Sequence, residues 1–184
     1  NNILTPIANF NGELTVPVLV NDGTDNSEVF NATVTVNAVN DAPSFTIGDN
    51  QTIAEDAGAQ SVTDFASNIS AGPADEAAQV LTFNLTNDNN SLFSQQPAID
   101  ATTGELTYTP AANANGLATV SVTLNDDQAQ NNASATQTFT ITVTPLNDVP
   151  VITNQVTLAV NEDESLTLEL ANFTVTDVDN AFLT

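Results

Sequence analysis

Residues 118–124 read Ala-Thr-Val-Ser-Val-Thr-Leu, and this strict alternation of apolar and polar side chains is typical of a half-buried β-strand. The same period of two runs through residues 32–36 and 136–143. Turn-forming clusters such as Asn21-Asp22-Gly23 and Asn115-Gly116 separate such stretches, and no long stretch has the 3.6-residue period of a helix. About seven short strands in about 100 residues predict an all-β fold built from β-sandwiches.

The aromatic residues are predicted to lie in the cores of these sandwiches. Aromatic side chains make up 5% of the chain, too few to provide an obvious stacking platform for sugars. The alternating pattern assigns to the core Phe45, Phe65, Phe83, Tyr108 and Phe139.

The charge of the chain excludes several classes of function. Its 184 residues include 23 Asp or Glu and no Lys, Arg or His, which gives a formal net charge of -23. Without a basic patch, we expect neither nucleic-acid binding nor attraction to an anionic membrane. Without His, Cys or Lys, the chain has no zinc site built from nitrogen or sulfur and no His- or Cys-based catalytic nucleophile. We therefore predict that it is not an enzyme and that any metal is held by oxygen.

The overall composition is that of a folded segment. Hydrophobic residues make up 41% of the chain, enough for a packed core. No apolar run approaches the ~18 residues of a membrane span, and the N-terminus lacks the basic region of a signal peptide. We expect no membrane insertion and a soluble piece of a longer protein.

Internal repeats divide the chain into three parts. Asn40-Asp41-Ala42-Pro43 recurs as Asn147-Asp148-Val149-Pro150, and Glu55-Asp56 recurs as Glu162-Asp163, both at an offset of 107 residues. Residues 5–12 match residues 109–116 at an offset of 104. The predicted domains are the C-terminal part of one repeat (1–39), a complete repeat (40–146) and the N-terminal part of a third (147–184).

Several motifs resemble a known family. Residues 142–150 read Thr-Val-Thr-Pro-Leu-Asn-Asp-Val-Pro, residues 161–164 read Asn-Glu-Asp-Glu, and residues 175–180 read Val-Thr-Asp-Val-Asp-Asn. Together with Gly-Glu-Leu-Thr-Tyr-Thr-Pro at 104–110, they resemble the bacterial cadherin-like tandem repeats of large secreted adhesins of the RTX type. The resemblance spans the entire chain. It implies tandem seven-stranded Greek-key sandwiches of the cadherin/Ig-like type, arranged end to end, with calcium between neighbours and a location outside the bacterium or on its surface.

On that topology, the acidic residues fall in loops at the two poles of each repeat. We call these the N-terminal pole and the C-terminal pole of residues 40–146. For the junction at the C-terminal pole, the expected calcium ligands are Glu55, Asp56, Asn147, Asp148, Asp177 and Asp179, with Asn113 and Asn115 beside them. For the junction at the N-terminal pole, they are Asn40, Asp41, Asp75, Glu76, Asp126 and Asp127.

Electrostatic repulsion is the physical reason to expect a cation at these poles. Two carboxylates about 5 Å apart at an effective dielectric near 20 repel by about 3 kcal/mol. A calcium ion reverses the sign of that energy and tolerates irregular oxygen coordination, whereas magnesium requires near-octahedral geometry. The same Asn-Asp and Asp-x-Asp sequences are also ordinary turn formers. We expect fewer ions at the first junction, because it has Asp75-Glu76 where the second has Asp177-x-Asp179.

Three functions remain open at this point. The first is a calcium-rigidified extracellular spacer of a large adhesin, whose partners are the neighbouring repeats of the same chain. The second is a direct adhesion module that binds a polysaccharide or a like chain. The third is a surface filament in which like chains contact each other, because the partial repeats at 1–39 and 150–184 leave sheet edges exposed.

Overall fold

The computed structural model of the chain describes residues 3–180. These residues form thirteen strands and three 3-10 helices of three residues each, so the predicted all-β class is confirmed. No helix within residues 3–180 is long and apolar enough to cross a membrane. The strands fall into three groups that follow the repeats.

The complete repeat holds nine strands in two layers. They are β3 (Ser44–Ile47), β4 (Gln51–Ala54), β5 (Gln60–Val62), β6 (Ala66–Ser70), β7 (Thr82–Asn87), β8 (Phe93–Ile99), β9 (Leu106–Pro110), β10 (Gly116–Asn125) and β11 (Gln137–Thr144). One layer has the order β4-β11-β10-β7, and the other consists of the pair β3-β6 and the sheet β5-β9-β8. β4 runs parallel to β11, while the other pairs are antiparallel.

The first strand of this repeat is broken in two, and a short extra strand, β5, follows it. β3 and β4 join different layers because residues 48–50 interrupt the strand. A Cβ atom at Gly48 would lie 2.9 Å from the Phe65 ring and from its carbonyl oxygen, so glycine allows the chain to pass there. The repeat therefore has nine strand segments where the sequence predicts seven.

The core lies between the two layers, as the alternation predicts. Ala118, Val120, Val122 and Leu124 of β10 are 0% exposed, and their polar neighbours face outward. Phe45, Phe65, Tyr108 and Phe139 are buried, and Phe83 is partly buried against them. Three aromatic pairs pack edge to face, with Phe65 and Phe139 the closest at 4.7 Å between ring centroids.

Two hairpin-like pairs flank the complete repeat. Upstream, β1 (Gly12–Val18) pairs antiparallel with β2 (Phe30–Val36). Downstream, β12 (Val151–Gln155) pairs antiparallel with β13 (Phe173–Thr176). Both pairs leave large apolar side chains exposed, for example Phe30 at 70% and Ile152 at 63%.

Candidate metal centres

Glu55 ties the loop after β4 to the linker at the C-terminal pole. The parallel pairing of β4 with β11 carries Glu55 alongside the end of β11, where its N–H donates to the Thr144 carbonyl at 2.9 Å. Its Oε1 accepts from the N–H of Leu146 at 2.7 Å, and its Oε2 accepts from the Asn115 amide at 3.2 Å. Glu55 is 1% exposed, so its carboxylate is held by fixed donors in place of water.

Asp56, the residue after Glu55, also lies at the C-terminal pole. It adopts a left-handed backbone conformation with φ of 61°, which Asp tolerates better than most residues. Its Oδ1 accepts from the N–H of Asn113 at 3.0 Å. The loops after β4 and β9 therefore meet at one pole, as expected from the predicted topology.

Asp148 lies among several negative charges at the C-terminal pole. Its N–H donates to Oδ2 of Asp179 at 2.6 Å, while its own Oδ2 is buried and has no hydrogen-bond partner among residues 3–180. Burial raises the pKa of the Asp148 carboxyl, and the negative charges of Asp56, Asp179, Glu55 and Asp177 raise it further. Four other carboxylates thus act on Asp148 at this pole.

The loop after β13 completes the C-terminal pole. Oδ1 of Asp177 accepts from the N–H groups of Asp179 and Asn180 at 2.9 and 2.8 Å, which makes this loop a local turn. The Asn180 amide donates to Oδ1 of Asn147 at 3.3 Å, and the Asn147 amide donates to the Asp148 carbonyl at 2.6 Å. The linker is therefore hydrogen-bonded both to the loop after β13, through Asn147, and to Glu55, through Leu146.

At the N-terminal pole, the amide nitrogen of Asn40 lies among four oxygen atoms. Nδ2 of Asn40 is 3.2 Å from Oδ2 of Asp126 and 3.0, 3.0 and 3.3 Å from the carbonyl oxygens of Asp41, Gln130 and Asn131. An amide group has only two hydrogens, so it cannot satisfy four acceptors at once. Oxygen atoms of the linker and of the loop after β10 therefore lie close together around Nδ2 of Asn40.

Glu76 adds a buried carboxylate to this pole. It is 7% exposed, and its Oε1 accepts from the N–H of Asp41 at 2.9 Å. Its Oε2 is buried without a hydrogen-bond partner in the described part of the chain. A Cβ atom at Gly72, whose φ is 155°, would lie 1.9 Å from that oxygen, so glycine makes the space that Glu76 occupies.

The carboxylates of Asp75 and Asp127 make no hydrogen bond to this cluster within residues 3–180. Oδ2 of Asp75 accepts from the amide of Asn11 at 2.6 Å, and both residues line a cavity of about 300 Å³ together with Asn40 and Asp41. Asp127 is exposed, and the one hydrogen bond of its carboxylate within residues 3–180 comes from the Gln128 side chain. Of the predicted set at the N-terminal pole, the structure brings together Asn40, Asp41, Glu76 and Asp126.

Several residues that contact the predicted ligands at the poles were not identified from the sequence. Gln79 donates to Oδ1 of Asn40 at 2.7 Å, and the Asn131 side chain donates to the Asn40 carbonyl at 2.9 Å. Neither lies in a recurring motif. Asn11 is different, since the offset of 104 residues equates it with Asn115 and could have identified it.

The donor set at both poles consists of oxygen atoms. Within residues 3–180, no group of three or more acidic side chains is close enough to form a preformed metal site. Each pole instead combines buried carboxylates with linker carbonyls and Asn side chains. Oxygen donors of this mixed kind fit a calcium ion, and the unpartnered Oε2 of Glu76 and Oδ2 of Asp148 are each available for one.

The described fold agrees with a comparison with known families. Residues 40–144 match the family model described as bacterial Ig domain. The chain belongs to the bacterial Ig domain family. No curated protein matches the chain. Bacterial Ig domains are typically structural modules without enzymatic activity, and they are usually extracellular or surface-exposed. Membership in this family supports the coarser part of the resemblance drawn from the motifs, a bacterial Ig-like repeat.

Proposed function

We propose that this chain is a calcium-rigidified spacer of a large bacterial adhesin, which holds a distal binding domain away from the cell. The observation that carries the proposal is Asp148, a linker carboxylate with a raised pKa, an unpartnered oxygen and four acidic neighbours. Such a group is unstable in its ionised form unless a cation joins it.

Each pole would hold its ion with residues from the linker and from the flanking loops. At the C-terminal pole, the ligands would come from Glu55, Asp56, Asn147, Asp148, Asp177 and Asp179. At the N-terminal pole, they would come from Asn40, Asp41, Glu76 and Asp126. The ion supplies positive charge that the sequence lacks, and it ties the linker to the elements on both sides.

The expected consequence is mechanical. Without calcium, repulsion among the carboxylates opens each junction and lowers the free energy of unfolding. In calcium, the same carboxylates bind the ion, and the folded state gains stability by mass action. A flexible string of domains then becomes a stiff rod, which suits a protein that must project outward from a surface.

The proposal is tested by comparing the chain in calcium, in magnesium and in a chelator. We expect calcium to raise the melting temperature and to lengthen the particle in small-angle X-ray scattering, with a weaker effect of magnesium. The matched variants are D148N, which should lose much of the response, and D127N, which should keep it. Equal melting temperature and length in calcium and in chelator would refute the proposal.

One observation favours the second function, direct binding of a saccharide. A cleft of about 370 Å³ lies beside β7 and β8, and the side chains of Asn87, Asn90 and Gln96 line it together with Pro97. Amide groups of this kind hydrogen-bond neutral hydroxylated ligands. A glycan array probed in calcium tests it, with N87A as the variant that should lose any signal.

A further inference from the structure

The side-chain amide of Asn40 has its nitrogen at a point of the N-terminal pole that is surrounded by oxygen. Four oxygen atoms lie 3.0–3.3 Å from this nitrogen, one from the Asp126 carboxylate and three from backbone carbonyls. Oxygen ligands about 2.3–2.6 Å from one calcium ion are themselves about 3–3.5 Å apart. The point therefore has the spacing of one ligand among several. Calcium takes oxygen ligands, however, and Asn40 presents a nitrogen there.

The oxygen of the same amide is held by Gln79. Oδ1 of Asn40 accepts from Nε2 of Gln79 at 2.7 Å, and the Gln79 backbone N–H donates to the Glu76 carbonyl at 3.0 Å. If Asn40 turned over alone, its oxygen would face four other oxygen atoms, and its NH₂ group would face the NH₂ group of Gln79. The hydrogen-bond network therefore sets the orientation of Asn40 and keeps its oxygen away from the other four.

Gln79 has a second polar atom that Asn40 can use. Oε1 of Gln79 is buried and has no hydrogen-bond partner among residues 3–180. If both side-chain amides turn over, Nδ2 of Asn40 donates to this oxygen, and Oδ1 of Asn40 joins the four oxygen atoms. Oε2 of Glu76 is also buried and unpartnered in the same part of the chain, which independently favours a cation at this pole.

The linker at the C-terminal pole has the same arrangement. Asn147, the counterpart of Asn40 at the offset of 107 residues, donates through Nδ2 to the carbonyl of the next residue at 2.6 Å, as Asn40 does at 3.0 Å. Its Oδ1 also accepts from a side-chain amide, Nδ2 of Asn180 at 3.3 Å. Gln79 and Asn180 follow corresponding strands, β6 and β13. A linker Asn whose oxygen is held by an amide from the following repeat thus occurs at both poles.

We propose that Gln79 is the positioning residue of the cation site at the N-terminal pole, and that the amides of Asn40 and Gln79 turn over together when the ion binds. This inference rests on the proposed calcium function and adds to it a residue outside the predicted ligand set. In the ion-bound chain, Oδ1 of Asn40 faces the ion, and Oε1 of Gln79 accepts from Nδ2 of Asn40. Because the ion must first turn this pair, a variant whose amide is already turned binds at a lower calcium concentration.

NMR of the unaltered chain detects the turn directly. In chelator, we expect nuclear Overhauser contacts from the Asn40 side-chain NH₂ to the backbone protons of Asn131. In calcium these contacts should weaken, and contacts to the γ-protons of Gln79 should appear. Unchanged contacts, while other resonances of the pole shift with calcium, would overturn the inference and leave the calcium function standing. No calcium-dependent change at the pole would overturn both.

A matched pair of charge variants tests the role of Gln79. Q79E offers only acceptors, so the Asn40 NH₂ must face residue 79 and its oxygen must face the site. Q128E adds the same charge at an exposed position of the same pole. We expect the calcium concentration at half-saturation, read from the Asn40 NH₂ resonances, to fall about fivefold or more in Q79E and less than about twofold in Q128E. Equal shifts in the two variants would mean that only the added charge acts, and would overturn the proposal.

Discussion

Oε1 of Glu55 accepts a hydrogen bond from the backbone N–H of Leu146 at 2.7 Å, although the two residues are 91 positions apart. Leu146 lies in the segment that leaves the complete repeat, and Glu55 is the first residue of the loop after β4. This contact ties the segment after β11 to the loop after β4. It also holds a buried carboxylate beside the linker that carries Asp148.

Substitution of Glu55 separates its structural role from its proposed role as a ligand. E55A leaves the Leu146 N–H and the Asn115 amide without an acceptor, and we expect it to cost about 1–3 kcal/mol of stability. E55Q keeps an acceptor but removes the charge, so it should lose less in chelator and should reduce the stabilisation by calcium. Denaturant unfolding with and without calcium measures both effects.

The control for Glu55 is E13Q, which removes one charge from the exposed face of β1. E13Q should leave the response to calcium unchanged. A full calcium response in E55Q would mean that the Glu55 carboxylate does not bind the ion.

Asp148→Asn should relieve repulsion at the C-terminal pole. The raised pKa of Asp148 means that its ionised form is disfavoured in the folded chain. A neutral Asn should therefore raise the melting temperature in chelator above that of the unaltered chain. In calcium the order should reverse, because one ligand is lost. Thermal unfolding in the two conditions checks this, and the same order in both would contradict it.

Gly104 and Gly58 form a matched pair for a backbone prediction. Both have positive φ, at 70° and 73°, but a Cβ atom at Gly104 would lie 2.0 Å from the Ala66 carbonyl oxygen, whereas a Cβ at Gly58 would contact nothing. G58A should cost about 1 kcal/mol from backbone strain alone. G104A should cost clearly more, because the backbone at Ala66 must move. Equal losses in urea unfolding would contradict the predicted contact.

Asp100 should make part of the stability depend on pH. The N–H groups of Thr103 and Thr102 donate to its Oδ1 at 2.7 and 2.8 Å, and with the Thr103 hydroxyl they hold the pKa of Asp100 below 3.8. Its contribution is therefore present above 3.8, the value in the unfolded chain, and is lost as the pH falls through the lower folded value.

The variant D100N removes this contribution. It should unfold at a lower temperature than the unaltered chain at neutral pH, and the difference should shrink as the pH falls below 3.8. D49N is the control, since the Asp49 carboxylate accepts no hydrogen bond within residues 3–180. A constant difference between D100N and the unaltered chain across this pH range would contradict the prediction.

The strands were predictable where their pattern is local. Residues 118–124 and 136–143 alternate so regularly that the sequence alone places them in β10 and β11 with the correct inner face. The break between β3 and β4 was not predictable, because it depends on the close approach of Phe65 to Gly48. That contact exists only once the two layers have packed.

At the poles, the sequence by itself determined the chemistry and the recurrence. The absence of Lys, Arg, His and Cys leaves only oxygen donors, and the offset of 107 residues identifies the linkers. The tertiary structure decided which acids are buried: Glu76 enters the space that Gly72 leaves, whereas its neighbour Asp75 faces Asn11. Adjacent residues can differ in this way because burial is set by strand pairing and loop packing between residues far apart in the chain, and local sequence does not encode those distances.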